Sequence, residues 1–323
     1  MTTTAIRLRT LIGDHCDAPA SGITPATCFA DLPGWSSLAA LRLFTALEES
    51  FGISLDLRCY LAITTVAELT EVVTTELGDR PMIVDLTLPF GTRFPTHPAN
   101  KPAEVEVTES HADAGCLARR WHLDEHSGTH VDAPIHFTAG GKPMDEIPAA
   151  HLMLPAAVLD VRSSSPHLRE RSVTAAHIRA WEAEHGPLPG RCALLALTGW
   201  TAAMIDEFGQ PTPAYDRDPC WPGFTPEAIT LLREHRPQVI AIGIDAPSLD
   251  STTAEDAGSP AHQQWLGGDR YGIENLHGLQ QLPPIGATIT VGALRLQGGS
   301  GAPARVLAIL PATTTRIPEE DER

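Results

Sequence analysis

Apolar residues recur at three- and four-residue steps in the first eighty residues of the chain. One such stripe predicts an amphipathic helix and consists of Leu38, Leu41, Phe44, Leu47 and Phe51. Ser36 or Ser37 is suited to cap the start of this helix, and Gly52 is suited to end it. A second stripe, from Thr65 to Leu77, predicts another helix. This N-terminal region is therefore expected to be all-α.

After Pro81 the pattern changes to short β-branched runs that are separated by glycine and proline. Helix starts are predicted between them at Thr174, Thr225 and Ser259. Such alternation of strands and helices predicts an α/β domain with a substantial sheet. Six runs predict largely buried strands: 82–88, 157–161, 192–198, 239–244, 287–291 and 305–310.

The break Gly78-Asp79-Arg80-Pro81 separates the helical pattern from the alternating strand and helix pattern, so we place the domain boundary there. We expect a helical domain over residues 1–79 and an α/β domain over residues 82–315. The acidic stretch 316–323 is expected to be a tail at the end of the chain.

Composition excludes several classes of protein. A net charge of −17 without any basic run argues against nucleic-acid binding. No apolar run approaches the ~20 residues of a membrane span, and the first ten residues lack the apolar core of a signal peptide. The six cysteines show no paired spacing, so we expect buried thiols in a reducing compartment. These observations together predict a cytoplasmic protein.

Three histidines and an aspartate fall within eleven residues, all at even positions: His126, His130, Asp132 and His136. A straight strand would spread the first and last of them over about 33 Å, too far for one site. Gly128 and Pro134 are breaks that let the segment curl. Mixed nitrogen and carboxylate ligands suit Zn²⁺ or Mn²⁺ better than Ca²⁺ or Mg²⁺. The segment therefore predicts a metal site.

The same segment resembles the H-x-G-T-H-x-D-x-P-x-H signature of the cyclase family of metal-dependent hydrolases. This family includes bacterial kynurenine formamidases and isatin hydrolases, and the likeness implies a swivelling β/β/α fold. The likeness covers residues 82–312 and continues through 84–87, 243–250, His262, 274–276 and 301–305.

The resemblance also implies roles for individual residues. His126, His130 and Asp132 would bind a first metal ion, usually Zn²⁺, with Mn²⁺ as the alternative. Asp132 and Glu274 would bridge to a second ion that is also held by His262. His136 would be the proton donor and acceptor beside them.

The family carries an aromatic-Pro-Gly-Asp stretch on its substrate loop, which here reads Phe94-Pro95-Thr96-His97. Phe94 is expected to keep a stacking role in substrate binding. Thr96 and His97 depart from the pattern, so the substrate need not be close to formylkynurenine. We expect the remaining histidines to be structural or on the surface, including His97, His111, His122, His151 and His277.

The N-terminal region resembles an acyl or peptidyl carrier protein over the stretches 32–38 and 47–53. In that family an Asp-Ser-Leu triplet opens the second helix, and its serine carries 4′-phosphopantetheine. The corresponding serine is Ser37, which a phosphopantetheinyl transferase would modify. Ser36 replaces the aspartate of the triplet, so an unmodified carrier that has only a capping or docking role stays an alternative.

We therefore expect an enzyme of specialised metabolism that acts on an acyl or aminoacyl group. The carrier likeness implies that this group would be tethered to Ser37 of the same chain. Metal chemistry would hydrolyse an amide, lactam or ester, or close a ring. The short connection between the domains and the family likeness predict a homodimer or a higher homo-oligomer. One alternative is an arylformamidase or amidohydrolase with a free substrate and a vestigial carrier. Another is a non-catalytic carrier or scaffold.

Overall fold

The computed structural model describes residues 3–77, 81–98 and 100–311. Two compact units are separated within this part of the chain. The first contains residues 3–77 and 81–83 together with 281–283 and 309–311, and the second contains residues 84–98, 100–280 and 284–308. The predicted break at Gly78–Arg80 and the predicted tail at 316–323 lie outside the described residues.

The first unit contains four α-helices. The expected caps of the second of these helices are both present. The Ser36 side chain accepts a hydrogen bond from the Ala39 backbone N–H at 3.1 Å, and Gly52 ends the helix in the left-handed conformation with φ +63°. The four helices are α1 (Thr3–Cys16), α2 (Ser37–Phe51), α3 (Leu57–Leu61) and α4 (Val66–Leu77).

The buried face of α2 differs from the predicted stripe. Leu38 and Leu41 were expected inside, but they are 58% and 47% exposed. The small side chains of Ala39 and Ala40 are buried instead, which lets α1 approach α2 closely. The pattern in the sequence was ambiguous because alanine contributes little to a hydrophobic stripe although it packs well. The buried positions of α2 are Ala39, Ala40, Leu43, Leu47 and Phe51.

The second unit is built on a closed sheet of seven strands in the order β10-β4-β8-β7-β6-β5-β9, where β9 also pairs with β10 and β1 lies beside β10. Strands β5, β6, β7 and β8 are parallel to one another. Strand β5 is antiparallel to β9, and β4 is antiparallel to both β8 and β10. A separate two-stranded sheet is formed by β2 and β3. The strands are β1 (Met82–Asp85), β2 (Glu104–Glu109), β3 (Ala118–His122), β4 (His130–Asp132), β5 (Met153–Asp160), β6 (Cys192–Leu197), β7 (Val239–Ile244), β8 (Tyr271–Glu274), β9 (Thr288–Ala293) and β10 (Gly301–Leu310). The barrel-like sheet is thus the scaffold of this unit, and the expected swivelling β/β/α arrangement stays a prediction.

Helices cover the parallel part of the sheet, and the core between them is rich in tryptophan. The indole N–H of Trp181 donates to the Val158 carbonyl at 2.8 Å, and that of Trp265 donates to the Tyr271 carbonyl at 2.8 Å. These bonds let large aromatic side chains pack in the core without an unpaired donor. The α-helices that the structure describes in the second unit are α5 (His111–Ala114), α6 (Ala175–His185), α7 (Trp200–Met204), α8 (Pro213–Arg217), α9 (Pro226–His235), α10 (Thr252–Asp256) and α11 (Pro260–Leu266).

Each of the six predicted runs contains a strand, and the predicted helix starts at Thr174, Thr225 and Ser259 precede α6, α9 and α11. Four strands were missed. Strands β4 and β8 have only three and four residues and carry polar side chains of the site. Strands β2 and β3 are almost wholly exposed, so they lack the buried alternation that identifies a strand.

Two predictions from composition can be compared with the structure. Within the described ranges, no helix is long and apolar enough to cross a membrane. All six cysteines are free, as expected, but only Cys16 and Cys192 are buried. Cys59 and Cys116 are exposed, so the expectation that the thiols are buried was wrong for these two.

Candidate metal centre

The segment that precedes and follows β4 turns sharply at the two predicted breaks. Gly128 has φ +63°, and a Cβ there would lie 2.7 Å from the Phe90 ring. A 3₁₀ turn over Pro134–His136 follows β4. As a result, the rings of His126 and His136 stack with their centroids 3.9 Å apart, although ten residues separate them in the chain.

Strand pairing brings the rest of the site to this segment. In the β4–β8 pair, His130 lies directly opposite Glu274, and Asp132 lies opposite Gly272. Directly opposed residues in an antiparallel pair have neighbouring side chains, so the imidazole and the carboxylate meet over one face of the sheet. Helix α11 adds His262, which is 5% exposed.

Three imidazole nitrogens converge on two buried carboxylates. His126 Nδ1 lies 2.6 Å from Asp132 Oδ1. His130 Nε2 lies 3.3 Å from both Asp132 Oδ1 and Glu274 Oε2. His262 Nε2 lies 3.0 Å from Glu274 Oε1 and 3.5 Å from Asp132 Oδ2. All five residues proposed as metal ligands from the sequence are therefore together in the fold.

The outer nitrogens of His130 and His262 are held by fixed acceptors. His130 Nδ1 lies 2.9 Å from the Gly128 carbonyl oxygen, and His262 Nδ1 lies 2.7 Å from Asp250 Oδ2. Because a carbonyl and a carboxylate can only accept, each Nδ1 carries the proton. The Nε2 lone pair of each ring is then directed at the carboxylates, which is the tautomer that a metal ligand needs.

His126 is oriented through a serine. Its Nε2 lies 3.0 Å from Ser300 Oγ, and that hydroxyl donates to Glu125 Oε2 at 2.6 Å. Since the serine proton is used on Glu125, the hydroxyl oxygen accepts from His126 Nε2–H. The inner nitrogen of His126 is therefore Nδ1, the atom that faces Asp132.

This donor set fits a divalent cation. Asp132 Oδ2 is buried and accepts no hydrogen bond from the described residues. Two groups of side chains have ligand atoms within 4.8 Å of one another, His126 with Asp132 and His136, and His130 with Asp132 and Glu274. Lone pairs of nitrogen and oxygen that face each other require a proton or a cation between them. The orphan oxygen and the three inner nitrogens can all be satisfied by a metal ion.

In the absence of a metal ion, protons lie between the imidazole nitrogens and the carboxylate oxygens. Burial lowers the pKa of His130, but hydrogen bonds to Asp132 and Glu274 outweigh it and raise the pKa to about 10. The pKa of His262 is raised well above its usual value because hydrogen bonds to the carboxylates likewise outweigh burial. For Asp132, hydrogen bonds from the three imidazoles overcome burial and hold its pKa well below the usual range. The site thus favours positive charge strongly.

His136 is placed differently from the other histidines. It is exposed to the adjoining cavity, and its ring stacks on His126. Loss of hydration lowers the pKa of His136 to about 4, against the attraction of Asp132. The ring is therefore neutral at pH 7 and is a weaker base than an ordinary imidazole. Its membership of the group with His126 and Asp132 also makes it a candidate ligand.

A cavity of about 360 Å³ opens beside the centre. Phe94, for which we expected a role in substrate binding, is one of its lining residues and is 5% exposed. Its ring lies 5.5 Å from that of Phe90, and Phe137 lies 4.8 Å from the ring of His262. The cavity therefore offers aromatic surface next to the five candidate ligands.

Ser37 is the first residue of α2 and is exposed. Ser36 caps the helix, and no hydrogen bond ties down the Ser37 hydroxyl within the described part of the chain. The side chain of Ser37 is thus accessible to a modifying enzyme.

Several residues of the site were not identified from the sequence. Asp250 and Glu125 hold ligand histidines, yet an isolated acid gives no signal without its partner. His97 was expected to be structural or on the surface, but it lines the cavity and lies 3.0 Å from Glu255. The signal in the sequence that could have identified His97 was its departure from the aromatic-Pro-Gly-Asp pattern.

Comparisons with known proteins find a family match for each of the two parts of the chain. The cyclase family model matches residues 84–251, more than half of the chain, and the phosphopantetheine attachment site model matches residues 7–73. The second match includes Ser37, and the first includes the segment from His126 to His136.

Individual relatives cover the second unit. An isatin hydrolase of Roseibium aggregatum is 30% identical over 242 residues, which are 73% of this chain and 89% of that protein. A kynurenine formamidase of Salinibacter ruber is 31% identical over 207 residues, 62% of this chain and 81% of that protein. The structure of isatin hydrolase A from Labrenzia aggregata bound to benzyl benzoate is 28% identical, with a TM-score of 0.64, and the match covers 75% of this chain and 99% of that one.

Proposed function

The chain belongs to the cyclase family of metal-dependent hydrolases, and we propose that it hydrolyses an amide, lactam or ester bond, or closes a ring, on an acyl or aminoacyl substrate. The observation that carries this proposal is the convergence of three imidazole nitrogens on the buried carboxylates of Asp132 and Glu274.

His126, His130, Asp132, His262 and Glu274 are the residues that would hold the metal. The mixture of imidazole and carboxylate ligands favours Zn²⁺, with Mn²⁺ as the alternative. A divalent cation at this position supplies Lewis acidity, which polarises a carbonyl and makes water more acidic. The hydrogen bonds that the three imidazoles donate to Gly128, Asp250 and Ser300 keep them in the ligand tautomer.

His136 would move the proton. From its place beside the candidate ligands it would take a proton from water and return it to the leaving group. Stacking on His126 keeps the ring at the centre, and its exposure to the cavity lets it reach a substrate. Phe94 and Phe90 would pack against the apolar part of that substrate.

The N-terminal unit adds the possibility of a tethered substrate. Ser37 would carry 4′-phosphopantetheine after the action of a phosphopantetheinyl transferase. An acyl group on this arm would reach the metal centre at an effective concentration of about millimolar, if the connection is short and flexible. A carrier domain joined to a hydrolase suggests a role in specialised metabolism.

A second candidate is an amidohydrolase or arylformamidase that acts on free small molecules, with a vestigial carrier. The specific observation in its favour is Ser36, which replaces the acidic residue before the modified serine of carriers. The two candidates share the metal centre and differ only in how the substrate arrives.

The experiment that tests the metal chemistry is a turnover screen with an aryl formamide, isatin as a lactam, and an aryl ester. We expect turnover of one class, its loss on chelation and its loss in Asp132→Asn. The control is Glu184→Gln, whose side chain is 77% exposed and which should retain full activity. Turnover that persists in Asp132→Asn would contradict the assigned centre.

The carrier is tested by intact-protein mass spectrometry after incubation with coenzyme A and a broad-specificity phosphopantetheinyl transferase. A mass gain of one phosphopantetheine arm that is lost in Ser37→Ala supports tethering. No gain in a protein that still turns over free substrates supports the second candidate.

A further inference from the structure

A second polar group lines the cavity besides the metal centre. His97 Nε2 lies 3.0 Å from Glu255 Oε2, and the two side chains are 28% and 19% exposed. Both residues line the same cavity as the candidate ligands. The pair is therefore part of the cavity wall and not of the outer surface.

The pair is anchored to the frame of the metal centre. The ring of His97 lies 5.5 Å from that of Trp221, and the Trp221 indole N–H donates to the Asp250 carbonyl at 3.1 Å. The same Asp250 holds His262 through its carboxylate. Glu255 lies on α10, which begins two residues after Asp250. The position of the pair is thus fixed relative to the ligands.

The charges of the cavity wall are unbalanced. Among its described lining residues the carboxylates are Asp132, Glu274 and Glu255, and the first two belong to the metal centre. No lysine or arginine is present among these lining residues. Glu255 is therefore the one acid of this wall that is available to a substrate.

Among the described residues, only one of the two carboxylate oxygens of Glu255 has a hydrogen-bond partner. Its Oε2 is used by His97, whereas its Oε1 accepts no hydrogen bond from the residues that the structure describes. The hydrogen bond that His97 donates to Glu255 raises the pKa of His97. A carboxylate that lines a partly aromatic cavity and has one oxygen without a hydrogen bond from the described residues suits a small cationic group of a ligand.

We propose that Glu255, positioned by His97, binds the ammonium group of the substrate, so that the enzyme acts on α-aminoacyl groups with an apolar side chain in preference to plain acyl groups. The inference rests on the proposed function for the identity of the site. It deepens that proposal by naming the substrate class. Phe90, Phe94 and Phe137 would contact the side chain of the aminoacyl group.

The discrimination follows from desolvation. An ammonium group replaces the water that it removes from Glu255 with a charge-assisted hydrogen bond. A ligand without the amine removes water from the same carboxylate oxygen but donates no hydrogen bond to it. Leaving a charged group without a partner in this way is costly. We expect the amine to bind about tenfold more tightly, or more. This factor is the lower end of the cost of losing one hydrogen bond to a charged group.

The test is a binding measurement on the metal-loaded full-length protein. The probes are L-phenylalaninol and 3-phenylpropan-1-ol, which differ only in the amine. Titration calorimetry should show at least about tenfold tighter binding of the amine by the unaltered protein. In Glu255→Gln the preference should fall to about twofold or less, through weaker binding of the amine alone. Glu255→Asp should restore part of it, and Glu184→Gln should change neither affinity.

Two results would overturn the inference. One is equal affinity of the unaltered protein for the two probes. The other is an equal loss of both affinities in Glu255→Gln, which would identify the pair as a structural clamp. Neither probe has an amide, lactam or ester bond, so the result is independent of turnover. Turnover without an amine preference removes this inference alone, and an amine preference without turnover removes the proposed hydrolase activity instead.

Discussion

Replacing Asp250 with asparagine tests whether the surroundings of the ligands set metal affinity. Asp250 is fully buried and accepts three hydrogen bonds, from Ala261 N at 2.8 Å, His262 N at 3.0 Å and His262 Nδ1 at 2.7 Å. An amide keeps the shape but presents an NH₂ group to one of these donors. If the NH₂ group takes the place of Oδ2, His262 loses the acceptor of both its backbone N–H and its ring Nδ1–H. If it takes the place of Oδ1, it opposes the Ala261 N–H and disturbs the start of α11, which carries His262.

Loss of such a partner weakens metal binding by about 10- to 100-fold, or about 1.4 to 2.7 kcal/mol. The metal-free protein should also lose about 2 to 4 kcal/mol of unfolding free energy, because one or two charge-assisted hydrogen bonds of a buried carboxylate are broken. We would measure metal affinity by competition with a chelator, and stability by urea unfolding with the metal removed. Asp256→Asn is the matched control, since Asp256 is exposed on α10, the helix that begins two residues after Asp250. Metal affinity that is unchanged in Asp250→Asn would refute the reasoning.

Three further predictions concern the segment around β4. His130→Ala should abolish metal retention and turnover together, as elemental analysis and kinetics would show, whereas His235→Ala on the surface should change neither; retention of metal would contradict the ligand assignment. Gly128→Ala should cost about 2 kcal/mol or more in urea unfolding, because its Cβ would lie 2.7 Å from Phe90 in addition to the strain of φ +63°. Gly140→Ala has only the strain, at φ +77° with no atom within 4 Å, and should cost less; equal costs would argue against the contact. In the chelated protein, His130 has a pKa raised from 6.5 to about 10 by its carboxylate partners, so its stabilisation is complete below pH 6.5 and is lost as the pH rises toward 10. Unfolding free energy should therefore fall by about 1 kcal/mol per pH unit over that range, and a profile that is just as steep in His130→Gln would contradict this.

The sequence predicted those parts of the fold that depend on local signals. Serine and threonine caps marked the starts of α2, α6 and α9, because a cap is a property of a few neighbouring residues. The strands β6 and β7 were predicted because continuous apolar runs are buried on both faces. Closure of the sheet by β9 and β10 could not be predicted, since pairing between distant strands leaves no local pattern.

The residues of the site also fall into those with a local signal in the sequence and those without one. His126, His130, Asp132 and His136 form a dense cluster in the sequence, so they could be proposed from spacing alone. His262 and Glu274 came only from the resemblance to the cyclase family, because each is an isolated polar residue on α11 or β8.

The supporting residues were missed for a related reason. Ser300 and Asp250 act through contacts with residues 174 and 12 positions away along the chain. Such contacts exist only after folding, and they leave no motif. The ligand roles, the modification of Ser37 and the homo-oligomeric state stay predictions until they are measured.

The most direct test of the central claim follows metal content and turnover in one sample of the full-length protein. Elemental analysis and turnover of the best substrate from the screen would be measured on the purified protein, after complete chelation, and after return of Zn²⁺ or Mn²⁺. We predict one or two equivalents of metal at the start, no turnover when the metal has been removed, and recovery when it is returned. Unchanged turnover in a protein that is verified to be metal-free would contradict the account.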